Sequence, residues 1–145
     1  MEIIATRKKG LVYIYIISLI LSLFITLAGI ISMKENLFNI FLVICGLIML
    51  IFSVYMIIDI LKTPKIAIKY NSDNYTLIVY QNTINLKDIT FVEYRRARAK
   101  HIQYKWGTVI ITTPYSKVIC KYIKNCEYVA KKIYSLSLKA KEFDS

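Results

Sequence analysis

The residues best placed to do chemistry in this chain form one run, Tyr94-Arg95-Arg96-Ala97-Arg98-Ala99-Lys100-His101, extended by Lys105. Arginine's planar fork donates paired N–H groups to two oxygens of one phosphate, and lysine adds a compact point charge. Arg95, Arg96, Arg98, Lys100 and Lys105 are therefore the candidate contacts for an anionic phospholipid headgroup or a protein partner. The plainer alternative is a solvated, positively charged loop facing the inner leaflet of a bilayer. If strand alternation holds across the run, Arg96, Arg98 and Lys100 share a face opposite Arg95.

Catalysis needs a nucleophile, an acid–base pair or a metal cluster held within mutual reach. His101 is the single histidine and stands among Arg98, Lys100 and Lys105, with no Cys, Asp or second His beside it. Asp88 and Glu93 are five residues apart on a turn and a strand, so they do not face one another, and Asp88 reads as a turn residue. Of the four glycines two lie inside apolar runs, which leaves no phosphate-cradling loop. Cys45, Cys120 and Cys126 have no metal or redox spacing and read as small apolar residues in a reducing compartment. The sequence predicts no enzyme, no cofactor and no metal site.

The elements that must position the basic run begin with two long apolar stretches. Leu11–Ile31 and Leu37–Ile58 carry no charged residue, and only Ser32, Met33, Lys34, Glu35 and Asn36 separate them. About 20 such residues cross the hydrocarbon core of a bilayer, so the pair predicts an antiparallel transmembrane hairpin with spans at about 11–32 and 37–60. A cleaved signal peptide fits less well, because the apolar stretch is too long and a second follows at once. Ser18, Ser22, Thr26 and Gly29 line one helical stripe, and Gly46 and Ser53 give the second span a matching face for close packing. No ionisable residue lies near mid-span, so the hairpin reads as an anchor rather than a pathway. Arg7, Lys8 and Lys9 precede the first span and Lys62, Lys65 and Lys69 follow the second, whereas Lys34 in the loop is offset by Glu35. The positive-inside rule then places both termini in the cytoplasm of a multi-pass protein of the cell membrane.

Residues 62–145 hold sixteen Lys/Arg against six Asp/Glu, which accounts for nearly all of the net charge of +11. Such a domain attracts polyanions; beside a membrane the expected polyanion is anionic lipid, and nucleic acid is disfavoured. Beyond Pro64 the apolar period changes from helical to alternating. Ile66–Tyr70, Tyr75–Tyr80, Thr83–Leu86, Ile89–Arg96, Trp106–Thr113 and Lys117–Tyr122 read as short strands, with Ala97–Lys105 a loop or frayed strand end. Asn125 then offers an N-cap, and Val129, Ile133, Leu136 and Ala140 form the apolar stripe of a closing helix. This predicts an α+β membrane protein: a tail and hairpin over residues 1–61, then a small antiparallel sheet or partly open barrel over 62–145, capped by a C-terminal helix.

In this arrangement the chain resembles the bacterial pleckstrin-homology-like small membrane proteins. Thr83-Ile84-Asn85-Leu86-Lys87-Asp88-Ile89 looks like that group's strand leading to a polar-Asp-Ile segment, although Leu86-Lys87 replaces the aromatic often found there. Gly107–Thr113 with Ser116–Ile119 looks like its late hairpin, and Asn125–Ile133 like its closing helix. The resemblance implies a cytoplasmic domain of pleckstrin-homology-like fold acting as a non-enzymatic, membrane-tethered interaction module for anionic lipid or another membrane protein. It also implies one alternative, immunity against a membrane-active bacteriocin; an accessory subunit of a membrane complex is a further reading, independent of the resemblance.

Overall fold

The computed structural model describes residues 1–32 and 37–142; the expected loop charges Lys34 and Glu35 lie outside them. The element order is strand β1 (Glu2–Thr6), helices α1 (Gly10–Ile31) and α2 (Leu37–Lys62), strands β2 (Ile66–Asn71), β3 (Thr76–Val79) and β4 (Asn82–Asn85), a single 3-10 turn (Leu86–Asp88), strands β5 (Phe91–Ala99), β6 (Ile102–Thr112) and β7 (Lys117–Ile123), and helix α3 (Cys126–Glu142). The chain divides into two units, one formed by Lys9–Lys62 and the other by Met1–Lys8 together with Thr63–Ser145.

The helical unit pairs α1 with α2 through their small residues. Ser22 and Ser53 are fully buried and Thr26 nearly so. Ser18 and Ser53 share a hydroxyl–hydroxyl hydrogen bond of 3.0 Å. Ser22 and Thr26 turn their hydroxyls back onto their own helix, donating to the Leu19 and Ser22 carbonyls. A methyl added at Gly46 would lie 2.3 Å from Thr26 Oγ1, so glycine there permits close approach of the helices. The outward residues of both helices, among them Phe24, Ile31, Phe41 and Ile51, are large, apolar and exposed.

The second unit contains two antiparallel sheets, ordered β1-β2-β3-β4 and β5-β6-β7. Their inner faces, with the stripe of α3, enclose one core that includes Ile68, Leu77, Val79, Leu86, Val109, Ile111, Cys120, Ile123 and Ile133. The strands follow the alternation of the sequence: Leu77 and Val79 are buried while their neighbours are not. Asn85 initiates the 3-10 turn by accepting a hydrogen bond from the Lys87 N–H on its side chain at 3.2 Å. Asn125 adopts φ 52°, a left-handed conformation that Asn tolerates, and its carbonyl accepts the Val129 N–H at 3.1 Å as α3 begins. Val129, Ile133 and Ala140 are buried, and Leu136 packs partly buried against the core.

Two features differ from the sequence reading. The first residues are not a tail belonging with the hairpin. Glu2–Thr6 pairs antiparallel with β2, Thr6 standing opposite Ile66, and the chain continues to a bridge between Arg7 and Ile123. Lys8 N–H donates to the Tyr122 carbonyl at 2.8 Å and Lys124 N–H to the Thr6 carbonyl at 3.0 Å, so the N-terminal segment links the two sheets. The helical pair is thus inserted between two paired strands of one sheet. The second difference concerns Ala97–Lys105, which is largely strand: β5 and β6 continue through it and reverse at Lys100-His101, where Lys100 takes φ 50°.

Candidate functional site

The basic run occupies a β-ribbon, and its shape follows from strand register. Strand β7 pairs with Gly107–Thr112 of β6 and no further. Toward the turn, residues 97–106 of β5 and β6 therefore have only each other. Register shifts between Arg96, opposite Gly107, and Arg98, opposite Gln103, so that Tyr104, Lys105 and Trp106 face the single residue Ala97. Such a bulge bends a ribbon and increases its twist. Gly107 marks the point where the ribbon leaves the sheet. A methyl there would lie 2.0 Å from the Arg95 carbonyl oxygen and 2.9 Å from Arg96 Cα, so only glycine fits between the strands.

The five candidate cations divide into two groups. Arg95 Nε donates to Glu93 Oε1 at 3.0 Å, and Arg96 reaches the Glu127 carboxylate on the first turn of α3. Glu127 also accepts from Lys131 Nζ at 2.9 Å, one helical turn away. Held first by Lys131 and then by Arg96, the Glu127 carboxyl ionises below the ordinary carboxylate range, and both cations are pushed above theirs by the same carboxylate. The side chains of Arg98, Lys100 and Lys105, by contrast, are exposed and make no hydrogen bond or ion pair among the described residues. Their donors are free to meet a ligand. A groove of about 540 Å³ is lined by Tyr94, Arg95, Arg96, Arg98 and Gln103, so of the three free cations Arg98 alone borders it.

Pairing assigns the faces of the ribbon. Arg98 stands opposite Gln103 on one face, while Ala99 stands opposite Ile102 on the other. Alternation places Ala97, Ala99, Ile102, Tyr104 and Trp106 together. The Tyr104 and Trp106 rings lie 5.9 Å apart, and Trp106 continues to the Tyr122 ring at 6.5 Å. Ile102 is 61% exposed and Tyr104 38%. The end of the ribbon is thus two-sided, with Arg98 and Gln103 on one face and an uncovered aromatic and aliphatic row on the other, while Arg95 alternates onto the face of Ala97 and Ala99.

The remaining chemistry-bearing residues stay apart. His101 lies exposed in the ribbon turn, and Asp88 sits in the 3-10 turn. No group of three or more metal-ligating side chains occurs among the described residues. Cys120 and Cys126 are fully buried core residues, and burial pushes the Cys120 thiol up to about 12, far from a reactive thiolate at neutral pH. Sequence reasoning did not find the role of Glu127, whose partner Arg96 is 31 residues away, nor the aromatic row. The alternation of Arg96-Ala97-Arg98-Ala99 with Ile102, Tyr104 and Trp106 was the available signal. Comparison with protein-family models, curated proteins and solved structures finds no match to this chain.

Proposed function

We propose that this chain is a membrane-tethered, non-enzymatic interaction module whose basic ribbon engages anionic phospholipid headgroups at the inner leaflet. Support for the membrane setting comes from α1 and α2, which are long and apolar enough to span a bilayer. Only 17% and 11% of their most apolar stretches are buried inside the protein, whereas a core helix of a soluble domain hides most of its surface. The pleckstrin-homology-like reading is supported by sheets of four and three antiparallel strands closed by a C-terminal helix, with the difference that one strand precedes the hairpin. Arg7 is nearly buried and donates to the Thr63 carbonyl at 2.7 Å. It remains a cation on that flank, so Arg7, Lys8, Lys9, Lys62, Lys65 and Lys69 support the positive-inside reading against the single loop cation.

The observation that carries the lipid reading is the trio Arg98, Lys100 and Lys105, exposed and unengaged at the end of a projecting ribbon. Each basic residue near an anionic surface adds about 1 kcal/mol of attraction, so the trio supplies about 3 kcal/mol, on the order of a hundredfold in affinity. Salt should weaken it, because the Debye length is about 10 Å at 0.1 M.

The test is retention of phosphatidylglycerol by the full chain after extraction from mixed phosphatidylcholine/phosphatidylglycerol bilayers, read by native mass spectrometry. The wild type should keep the anionic lipid preferentially, and Arg98→Glu/Lys100→Glu/Lys105→Glu should lose that preference. Reversal of Lys117, Lys124 and Lys139, exposed elsewhere on the same unit, should not. Equal losses from both triple variants would reduce the ribbon to general positive charge and overturn the proposal.

A further inference from the structure

The free cations Arg98, Lys100 and Lys105 leave much of the ribbon's other face unexplained. The other side exposes Ile102, Tyr104 and part of Trp106, with Ile119 of β7 also 50% exposed. A second groove, of about 360 Å³, is lined by Ala97, Trp106, Ile119, Lys121 and Tyr122, among others. Water-exposed rows of this kind mark an interaction surface. The Arg96–Glu127 pair ties the neighbouring segment of β5 to α3, and the row itself lies on paired strand rather than a loop.

We infer that this aromatic face enters the headgroup–acyl boundary of an anionic bilayer, with Ile102, Tyr104 and Trp106 as the inserting residues and Arg98, Lys100 and Lys105 reaching back to the phosphates. The inference rests on the lipid reading above and adds to it a component that salt does not remove. Tyrosine and tryptophan suit this depth, because an apolar ring and a polar tip match the two sides of the boundary. Long cationic side chains can lie along the apolar layer and still keep their charge at the phosphates. An amphipathic element with cations on one face and aromatics on the other binds such surfaces through buried apolar area plus attraction to anionic lipid. Charge complementarity and the two apolar helices of the same chain select a bilayer as the occupant. A single-stranded polynucleotide, which also stacks on aromatic sheet faces between cations, is the competing occupant.

Trp106 is the single tryptophan of the chain, so its emission reports on this face without labelling. The full chain is placed in nanodiscs of phosphatidylcholine alone or with phosphatidylglycerol, each made with and without brominated acyl chains. In anionic discs Trp106 emission should move to shorter wavelength and be strongly quenched by bromine, and in neutral discs it should do neither. Ile102→Ser/Tyr104→Ser should lose most of the quenching and leave phosphatidylglycerol retention fully salt-sensitive, since both side chains are exposed and no core contact is removed. Emission that is unchanged between the two disc types, with lipid retention intact, would overturn insertion and leave headgroup binding standing. Loss of both would overturn the two readings together. Quenching of Trp106 by a single-stranded oligonucleotide in neutral discs, at concentrations where anionic discs have no effect, would assign the face to nucleic acid and overturn the inference.

Discussion

Replacing Gly107 by Ala tests the geometry on which the ribbon depends. The new methyl would lie 2.0 Å from the Arg95 carbonyl oxygen, 2.9 Å from its carbonyl carbon and 2.9 Å from Arg96 Cα. All three are backbone atoms, so no side chain can swing aside. Since side-chain carbons do not approach other atoms closer than 3.0 Å, β5 and β6 must part by about 1 Å at this rung. Overpacking of this kind costs about 1–3 kcal/mol, and weakening a ladder hydrogen bond beside it adds about 1 kcal/mol. The sum, about 2–4 kcal/mol, is a large part of the 5–15 kcal/mol that typically holds a domain. At about 4–8 °C per kcal/mol, the melting temperature should fall by roughly 8–32 °C. Thermal unfolding of the full chain in detergent, followed by Trp106 emission, reads this directly because Trp106 is the adjacent residue. Gly10→Ala is the control: nothing lies within 4 Å of the added methyl, and the first residue of a helix gains from alanine. Gly107→Ala melting within about 2 °C of the wild type would refute the close approach of the two strands and the ribbon's departure point with it.

Two further outcomes follow from α3. Ile133 is fully buried in the core, so Ile133→Ala should cost about 2–5 kcal/mol. Lys132, which ion-pairs with Glu2 of β1 at the surface, should cost at most about 1 kcal/mol when changed to Ala; equal shifts in denaturant midpoint would mean that the buried face of α3 is misassigned. Glu127 is held below the ordinary carboxylate value by Lys131 and Arg96, so its pairing supports the fold at pH above that value and is lost as pH falls through the lowered one. Glu127→Gln should therefore flatten the acid limb of the stability–pH curve, and an unaltered acid limb would show that the pairs contribute nothing.

Much of the fold was legible in the sequence because each unit carries its own period. The two apolar runs needed only length and composition, and α3 announced itself by the spacing of Val129, Ile133, Leu136 and Ala140. Strand β1 was not legible. Its five residues have no two-sided alternation, and its partner β2 lies beyond both helices, so only long-range pairing defines it. Ala97–Lys105 read as a loop or frayed strand end for a different reason: a ribbon solvated on both faces lacks the buried alternate positions that identify a strand, and its many charges resemble a turn. The same exposure hid the division of its cations. Arg95 and Arg96 look equivalent to Arg98 in sequence, yet Glu93 and Glu127 neutralise the first two, and Glu127 lies 31 residues from Arg96 in the chain. Candidate residues could thus be named from sequence, while their availability depended on the fold.

In the proposed function α1 and α2 cross a membrane and the basic ribbon stays on its cytoplasmic side. Cysteine accessibility in intact cells tests it most directly, in a background where Cys45 is replaced by Ala and the buried Cys120 and Cys126 are left in place. A cysteine substituted at Asn36 should react with a membrane-impermeant thiol reagent, while one at Lys105 should react only after the cells are opened. Labelling at Lys105 with none at Asn36 in intact cells, or protection of both positions, would contradict the account.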